Sequence, residues 1–173
     1  LTTVPLFQLL NNISTFFVNE CTKKGLSFYF DLSSTVPPHI VFDELRLKQI
    51  LNNLLGNALE FTKHGHLKLS AWSKKSNNKS ENIDLYFSIE DTRLENSETE
   101  DDKPLESFQQ SRAESFNEDK GGGLNLHMSR KLIKQMGGRI DVKNIDSVGI
   151  SYEVLFKSIE PVVLLTEESK GDE

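Results

Sequence analysis

Apolar residues recur along this chain first every three or four positions and then every second position, so helices and strands can be read before any motif is sought. Between Pro5 and Lys24, Leu6, Leu9, Leu10, Ile13, Phe16 and Phe17 share one helical face. Gly25 then supplies the residue type that ends such a helix. Leu26, Phe28, Phe30 and Leu32 alternate with polar residues as in a half-buried strand. Pro37-Pro38 interrupts the chain, and Asp43 is placed to cap the helix that follows.

That second helix, from Glu44 to about Thr62, is the most regular element. At about 100° per residue, Leu47, Ile50, Leu51, Leu54, Leu55, Ala58 and Leu59 fill half of its surface. Arg46, Asn53, Asn57 and Glu60 form a narrow polar stripe beside that half, where a pocket wall would stand. His66 to Trp72 and Ile83 to Ile89 alternate as strands and are expected to pair antiparallel across the polar loop Lys74 to Asn82. Leu124 to Met136 reads as a third amphipathic helix, closed by Gly137-Gly138. A last hairpin joins Arg139–Asn144 to Ile150–Phe156, turning around Asp146 to Gly149. The expected class is α+β: a two-layer α/β sandwich with a mixed sheet of about five strands covered on one face by three helices. One domain is expected over 1–158, with a lid loop at about 92–120, and 159–173 as a C-terminal tail or linker.

Composition narrows the function classes. The chain has 173 residues, 36% of them apolar, which suits a single core. A net charge of -6 argues against binding to nucleic acid or to an anionic membrane. Cys21 is the one cysteine, so no internal disulfide forms and a reducing, cytoplasmic setting is expected. No apolar run approaches the roughly 20 residues that span a bilayer. The expectation is a cytoplasmic module, or the cytoplasmic part of a membrane-bound sensor, with no direct membrane contact of its own. Between Glu90 and Glu106 the character changes: eight of 17 residues are acidic, two are basic, and Leu94 and Leu105 are the apolar ones, which reads as a mobile loop.

Two polar features carry chemistry. Asn53 and Asn57, four residues apart on one helical face, can present amide oxygens to a hard cation, and one such oxygen with phosphates and waters suffices for magnesium. The plainer alternative is that these side chains cap loops or face water. Gly121-Gly-Gly123 ahead of a helix permits close backbone approach to an anion at the helix N-terminus. Its alternative is a flexible turn.

Order and setting connect the two. Asp43-Glu-Leu-Arg-Leu-Lys-Gln-Ile-Leu-Asn-Asn-Leu-Leu-Gly-Asn-Ala-Leu-Glu-Phe-Thr62 resembles the N box of sensor histidine kinases, and Gly121-Gly-Gly-Leu-Asn-Leu126 with the helix behind it resembles their G2 box. Phe108-Gln-Gln110 sits where the F box belongs. The resemblance runs from about Pro5 to Phe156 and implies the catalytic and ATP-binding domain of that family, the Bergerat or GHKL fold. It implies ATP and Mg2+ as cofactors. By position it makes Asn57 the magnesium ligand and Asn53 its companion on the phosphate side, both part of the catalytic machinery. Asp91 would read the adenine amino group, and Gly121, Gly123 and Leu124 would close on the phosphates. The implied partners are a dimerisation domain carrying the phosphoacceptor histidine in the same parent protein, and a response-regulator receiver domain.

Departures from the pattern define a second expectation. The family's G1 box is D-x-G-x-G; Asp91 and Thr92 keep it, while Arg93 and Glu95 replace both glycines. Each β-carbon there would cost on the order of 1–3 kcal/mol if positive φ is required. Glu60 stands where a lysine is usual, and its carboxylate repels a triphosphate unless magnesium or Arg46 screens it. The third G2 glycine is Asn125. A degenerate, pseudokinase-like module with weak or no ATP binding, acting in docking or allosteric regulation, is the alternative function. None of His39, His64, His66 or His127 lies in a phosphoacceptor setting of His, an acidic residue and nearby proline, so this chain alone lacks the acceptor. A third reading, as a gyrase-, mismatch-repair- or chaperone-type ATPase, wants a glutamate base where Asn53 stands. Val162-Val-Leu-Leu-Thr-Glu-Glu168 faintly resembles the first strand and acidic pair of a receiver domain, as in a hybrid kinase; the alternative is a linker strand on this domain's edge.

Overall fold

A computed structural model describes residues 1–78, 80–92, 122–145 and 149–163. Their order is β1 (Thr2–Pro5), α1 (Leu6–Lys24), β2 (Ser27–Leu32), β3 (His39–Phe42), α2 (Glu44–Phe61), β4 (His66–Lys75), β5 (Ile83–Asp91), α3 (Gly122–Gln135), β6 (Arg139–Ile145), β7 (Gly149–Ile159) and β8 (Pro161–Val162). The expected α+β sandwich is what forms, with the five strands in the order β2-β4-β5-β7-β6. The sheet is mixed because β2 runs parallel to β4, whereas β4–β5, β5–β7 and β6–β7 are antiparallel.

Both capping expectations hold. Gly25 takes φ 76° and returns its N–H to the carbonyls of Cys21 and Thr22, a left-handed geometry that a β-carbon disfavours. Asp43 Oδ1 accepts from the Arg46 backbone N–H at 3.0 Å and satisfies one of the orphan donors that open α2.

The core lies between the helices and one face of the sheet. Leu47, Ile50, Leu51, Leu54, Leu55 and Ala58 of α2 are buried with Leu67, Leu69 and Ala71 of β4, Leu85, Phe87 and Ile89 of β5, and Ile150, Tyr152, Val154 and Phe156 of β7. Alternation of period two places every one of those strand residues on the helix side. Phe156 also meets Phe42 edge to face, with centroids 4.9 Å apart.

Two features depart from the pattern. Phe16, expected on the buried face of α1, is 58% exposed. The face α1 buries is narrower than its apolar stripe: Phe16 lines a groove of about 730 Å³ shared by α1 and α2. In addition, β1, β3 and β8 form a separate three-stranded antiparallel sheet with β3 in the middle. Its strands, of four, four and two residues, are too short for alternation to announce them. β8 falls within the segment read as tail or linker.

Candidate functional site

Depth divides the polar stripe of α2. Asn57 is 1% exposed, Asn53 half-buried, and Arg46 and Glu60 exposed. Asn57 Nδ2 donates to the Tyr152 hydroxyl at 3.3 Å, across the interface between α2 and β7. Asn57 Oδ1 has no hydrogen-bond partner among the described residues. A buried amide oxygen left this way costs about 1–3 kcal/mol, so in a native fold it marks a place that water or a ligand completes. Ser14 Oγ and Ser129 Oγ share that state, but they lie on α1 and α3, off the stripe and the sheet. As a hard, neutral oxygen on a rigid helix, Asn57 Oδ1 has the chemistry of a magnesium ligand.

Asp91 closes β5. It is 2% exposed, and alternation along β5 places it on the same inward face as Leu85, Phe87 and Ile89. Its Cα partners are Leu67 on β4 and Ile150 on β7. Ile150 and Tyr152 are both on the inward face of β7, two residues apart, which is about 7 Å along the strand. Asp91 and the Asn57 contact therefore occupy neighbouring rows of one sheet surface. Thr92 fixes the chain just beyond: its hydroxyl donates to the His64 carbonyl at 2.9 Å and accepts from the His66 N–H at 3.0 Å. The end of β5 is thus tied to the segment that leaves α2.

The G2-like segment supplies a helix start. α3 begins at Gly122, so the backbone of Gly123 and Leu124 lies in its first turn, where amide donors lack intrahelical partners and the dipole is positive. α3 packs against α2. Gly121, Arg93, Glu95 and the Phe108–Gln110 motif lie outside the described residues, as do most of the acidic stretch and the turn at 146–148.

Of the two screens considered for Glu60, magnesium and Arg46, the arginine is not placed to act. Arg46 does not screen Glu60: Arg46 Nε lies 3.3 Å from Asp43 Oδ2. Their separation of 14 positions also sets Arg46 and Glu60 about 21 Å apart along the helix axis. Glu60 instead lies beside a different cation, since Lys24 Nζ donates to the carbonyl oxygens of Leu59 and Glu60. That contact places positive charge at the C-terminal end of α2, where the helix dipole favours it.

Tyr152 and Gly149 were not singled out from the sequence. Tyr152 looked like one more core position of an alternating strand, and only the partner across the interface gives its hydroxyl a role. Gly149 carried a signal, an isolated glycine opening a strand, which often marks close backbone approach. The groove between α1 and α2 is a separate feature. Its α2 lining, Glu44, Lys48, Asn52, Gly56 and Leu59, centres about 150° around the helix from Asn57.

Known proteins resemble this arrangement. The family described as histidine kinase-, DNA gyrase B-, and HSP90-like ATPase matches residues 42–160. The signal transduction histidine-protein kinase BarA of Escherichia coli (strain K12) is 30% identical over 148 residues, covering 86% of this chain and 16% of BarA. The sensor histidine kinase GacS of Pseudomonas protegens is 32% identical over 147 residues, covering 85% of this chain and 16% of GacS. The chain thus spans about a sixth of the length of these relatives. Among solved structures, full-length ShkA in complex with AMPPNP superposes with a TM-score of 0.72 at 24% identity, over 94% of this chain and 32% of ShkA. The nucleotide-free catalytic domain of histidine kinase ThkA gives 0.70 at 22% identity, over 91% of this chain and 95% of that domain.

Proposed function

The chain belongs to the histidine kinase-, DNA gyrase B-, and HSP90-like ATPase family, and from that premise we propose that it is the catalytic and ATP-binding module of a two-component sensor histidine kinase. In this reading it binds Mg-ATP and donates the γ-phosphoryl group to a histidine on a separate dimerisation domain of its parent protein. A response-regulator receiver domain is the downstream partner, and the cytoplasm is where the module works. The observation that supports this most is the buried Asn57 oxygen, without a partner among the described residues, one row from the inward-facing Asp91, both inside the matched span.

Each residue has a definite task. Asn57 Oδ1 is the protein oxygen that would hold magnesium, whose charge there offsets that of the β- and γ-phosphates. Asn53, one turn earlier and half-buried, would be its companion on the phosphate side. The Asp91 carboxylate accepts from the adenine amino group, and the first turn of α3, with Gly121, Gly123 and Leu124, supplies backbone amides to the phosphates. Phosphoryl transfer is mostly positioning and charge neutralisation, so these contacts are the catalytic contribution of the module. Asn53 is neutral and takes up no proton, so water at this site lacks a general base and the phosphoryl group is kept for the histidine acceptor.

Calorimetric titration of the chain with ATP and magnesium tests the proposal. Binding in the micromolar to low millimolar range, abolished by Asn57→Ala, is expected, followed by transfer to an added dimerisation domain. No heat and no thermal shift at several millimolar ATP would sink it and leave a docking or regulatory module.

A further inference from the structure

We propose that the groove between α1 and α2 is a docking site for an amphipathic α-helix of a partner protein, one whose apolar stripe is bracketed by basic residues. The groove lies on the side of α2 turned away from Asn57, so the inference stands apart from the nucleotide assignment.

α1 has an unusual composition for a helix at the surface. From Leu6 to Asn19 it runs for 14 residues without a charge, in a chain of which 27% is charged. Phe16, 58% exposed, lines the groove together with the buried Leu9, Ile13 and Phe17. A large aromatic left open on a surface depleted of charge is the composition of an interface core.

Gly56 points the same way. It lies inside α2, its φ is not positive, and a β-carbon there would meet nothing within 4 Å. Glycine weakens a helix interior, yet neither strain nor crowding among the described residues calls for it. The notch it leaves opens into the groove, where an incoming side chain can reach the α2 backbone.

The shape and the charges specify the occupant. Lys24, at the end of α1, donates to the carbonyls of Leu59 and Glu60 at the end of α2. Sixteen residues earlier on each helix, Gln8 and Glu44 both line the groove, so α1 and α2 run side by side in the same direction. Two such helices offer a trough for a third and no unpaired strand edge for an extended peptide. By the same offset Glu20 stands level with Gly56, about 18 Å along the groove from Glu44, the rise of 12 helical residues. A carboxylate therefore marks each end of the apolar floor. Glu20 is bonded to Lys23 at 3.0 Å, an exposed pair that a second cation can join. Lys48, one turn inward from Glu44, disfavours a cation at its own level. The matching helix has lysine or arginine about 12 positions apart, with apolar residues between them at helical spacing.

Helix-forming peptides of about 16 residues test this. One carries a leucine stripe with lysines at its two ends, a second has glutamates in their place, and a third scrambles the stripe. In a titration followed by backbone amide NMR shifts, the lysine peptide should bind at about 10–500 μM and shift Gln8 to Glu20 and Gly56. The glutamate and scrambled peptides should bind at least about tenfold more weakly. Phe16→Ser should weaken the lysine peptide about tenfold, since an anchoring ring is lost. It should leave the result of a nucleotide titration unchanged, whichever result that is. Gly56→Ala should raise the unfolding midpoint of the free chain and still weaken the peptide, because it strengthens the helix and fills the notch. Should Gly56→Ala not fold, Phe16→Ser decides alone. The proposal is overturned by an absence of shifts at about 1 mM lysine peptide, by equal affinity for the lysine and glutamate peptides, or by unchanged affinity in Phe16→Ser. Self-association of the chain that Phe16→Ser abolishes also overturns it, and makes a second copy the occupant.

Discussion

A β-carbon on Gly149 would stand 1.6 Å from the carbonyl oxygen of Asp91. Real β-carbons never come so close to backbone, so the start of β7 and the end of β5 meet only because position 149 has no side chain. Gly149→Ala must push the two strands apart where Asp91, the proposed adenine contact, is anchored. The expected cost is about 2–3 kcal/mol of stability, together with weakened nucleotide binding. Denaturant unfolding and nucleotide titration of the same variant check both parts; an alanine that leaves affinity intact would separate Asp91 from the nucleotide.

Thr92 closes that corner from the other side by bonding to both His64 and His66. Thr92→Val preserves the shape and removes the hydroxyl. It strands the His66 N–H, so stability should fall by about 1–2 kcal/mol, read as a lower midpoint of urea unfolding.

At the far end of α2, Asp43→Ala removes the cap on the Arg46 N–H and the ion pair with the same arginine. The expected loss is about 1 kcal/mol, nearly all from the cap, because exposed ion pairs contribute little. The midpoint of denaturation should move with an unchanged slope, and nucleotide affinity should hold, since Asp43 lies three to four turns from Asn53 and Asn57.

Cys21 is buried, and burial pushes its thiol above the ordinary thiol pKa. Lys24 pulls the other way and Glu20 adds a smaller upward push. A thiol whose folded pKa exceeds its unfolded one contributes stability that is whole below the unfolded pKa and is lost as pH rises through the folded one. Stability should therefore decline with pH above the ordinary thiol range, and Cys21→Ser should flatten that decline. Alkylation in native buffer should be far slower than in denaturant.

Arg93→Gly with Glu95→Gly restores the two glycines of the G1 pattern. If side chains there crowd the adenine, nucleotide affinity should rise tenfold to hundredfold, the equivalent of about 1.4–2.7 kcal/mol. Unchanged affinity in a titration shows that these positions were never the obstacle.

Long periodic segments carried most of the fold in plain view. The apolar half of α2 and the alternation in β4, β5 and β7 each repeat often enough for a face to be assigned, and those faces are the ones buried. Local pattern failed where the deciding partner was distant in sequence. Phe16 continues the apolar stripe of α1, but it lines an open groove whose other wall belongs to α2, so its exposure depends on a distant element. Arg46 shares a stripe with Glu60 in projection, yet projection discards the axial distance, and Asp43 is the nearer carboxylate. Likewise, the motif residue Asn57 was visible from spacing, whereas Tyr152, 95 residues away, became meaningful only through the contact itself.

The small sheet of β1, β3 and β8 also determines how the module carries load. Thr2 lies opposite Phe42 and Val162 opposite His39, so Leu1 and Val163 depart from opposite ends of β3. Tension applied between them draws β1 and β8 lengthwise along β3 in contrary directions, loading their hydrogen bonds side by side in shear. Pulling on Leu1 and Val163 is therefore expected to rupture β1 and β8 from β3 before α2 or the end of β5 is loaded, which single-molecule stretching would read as the first event.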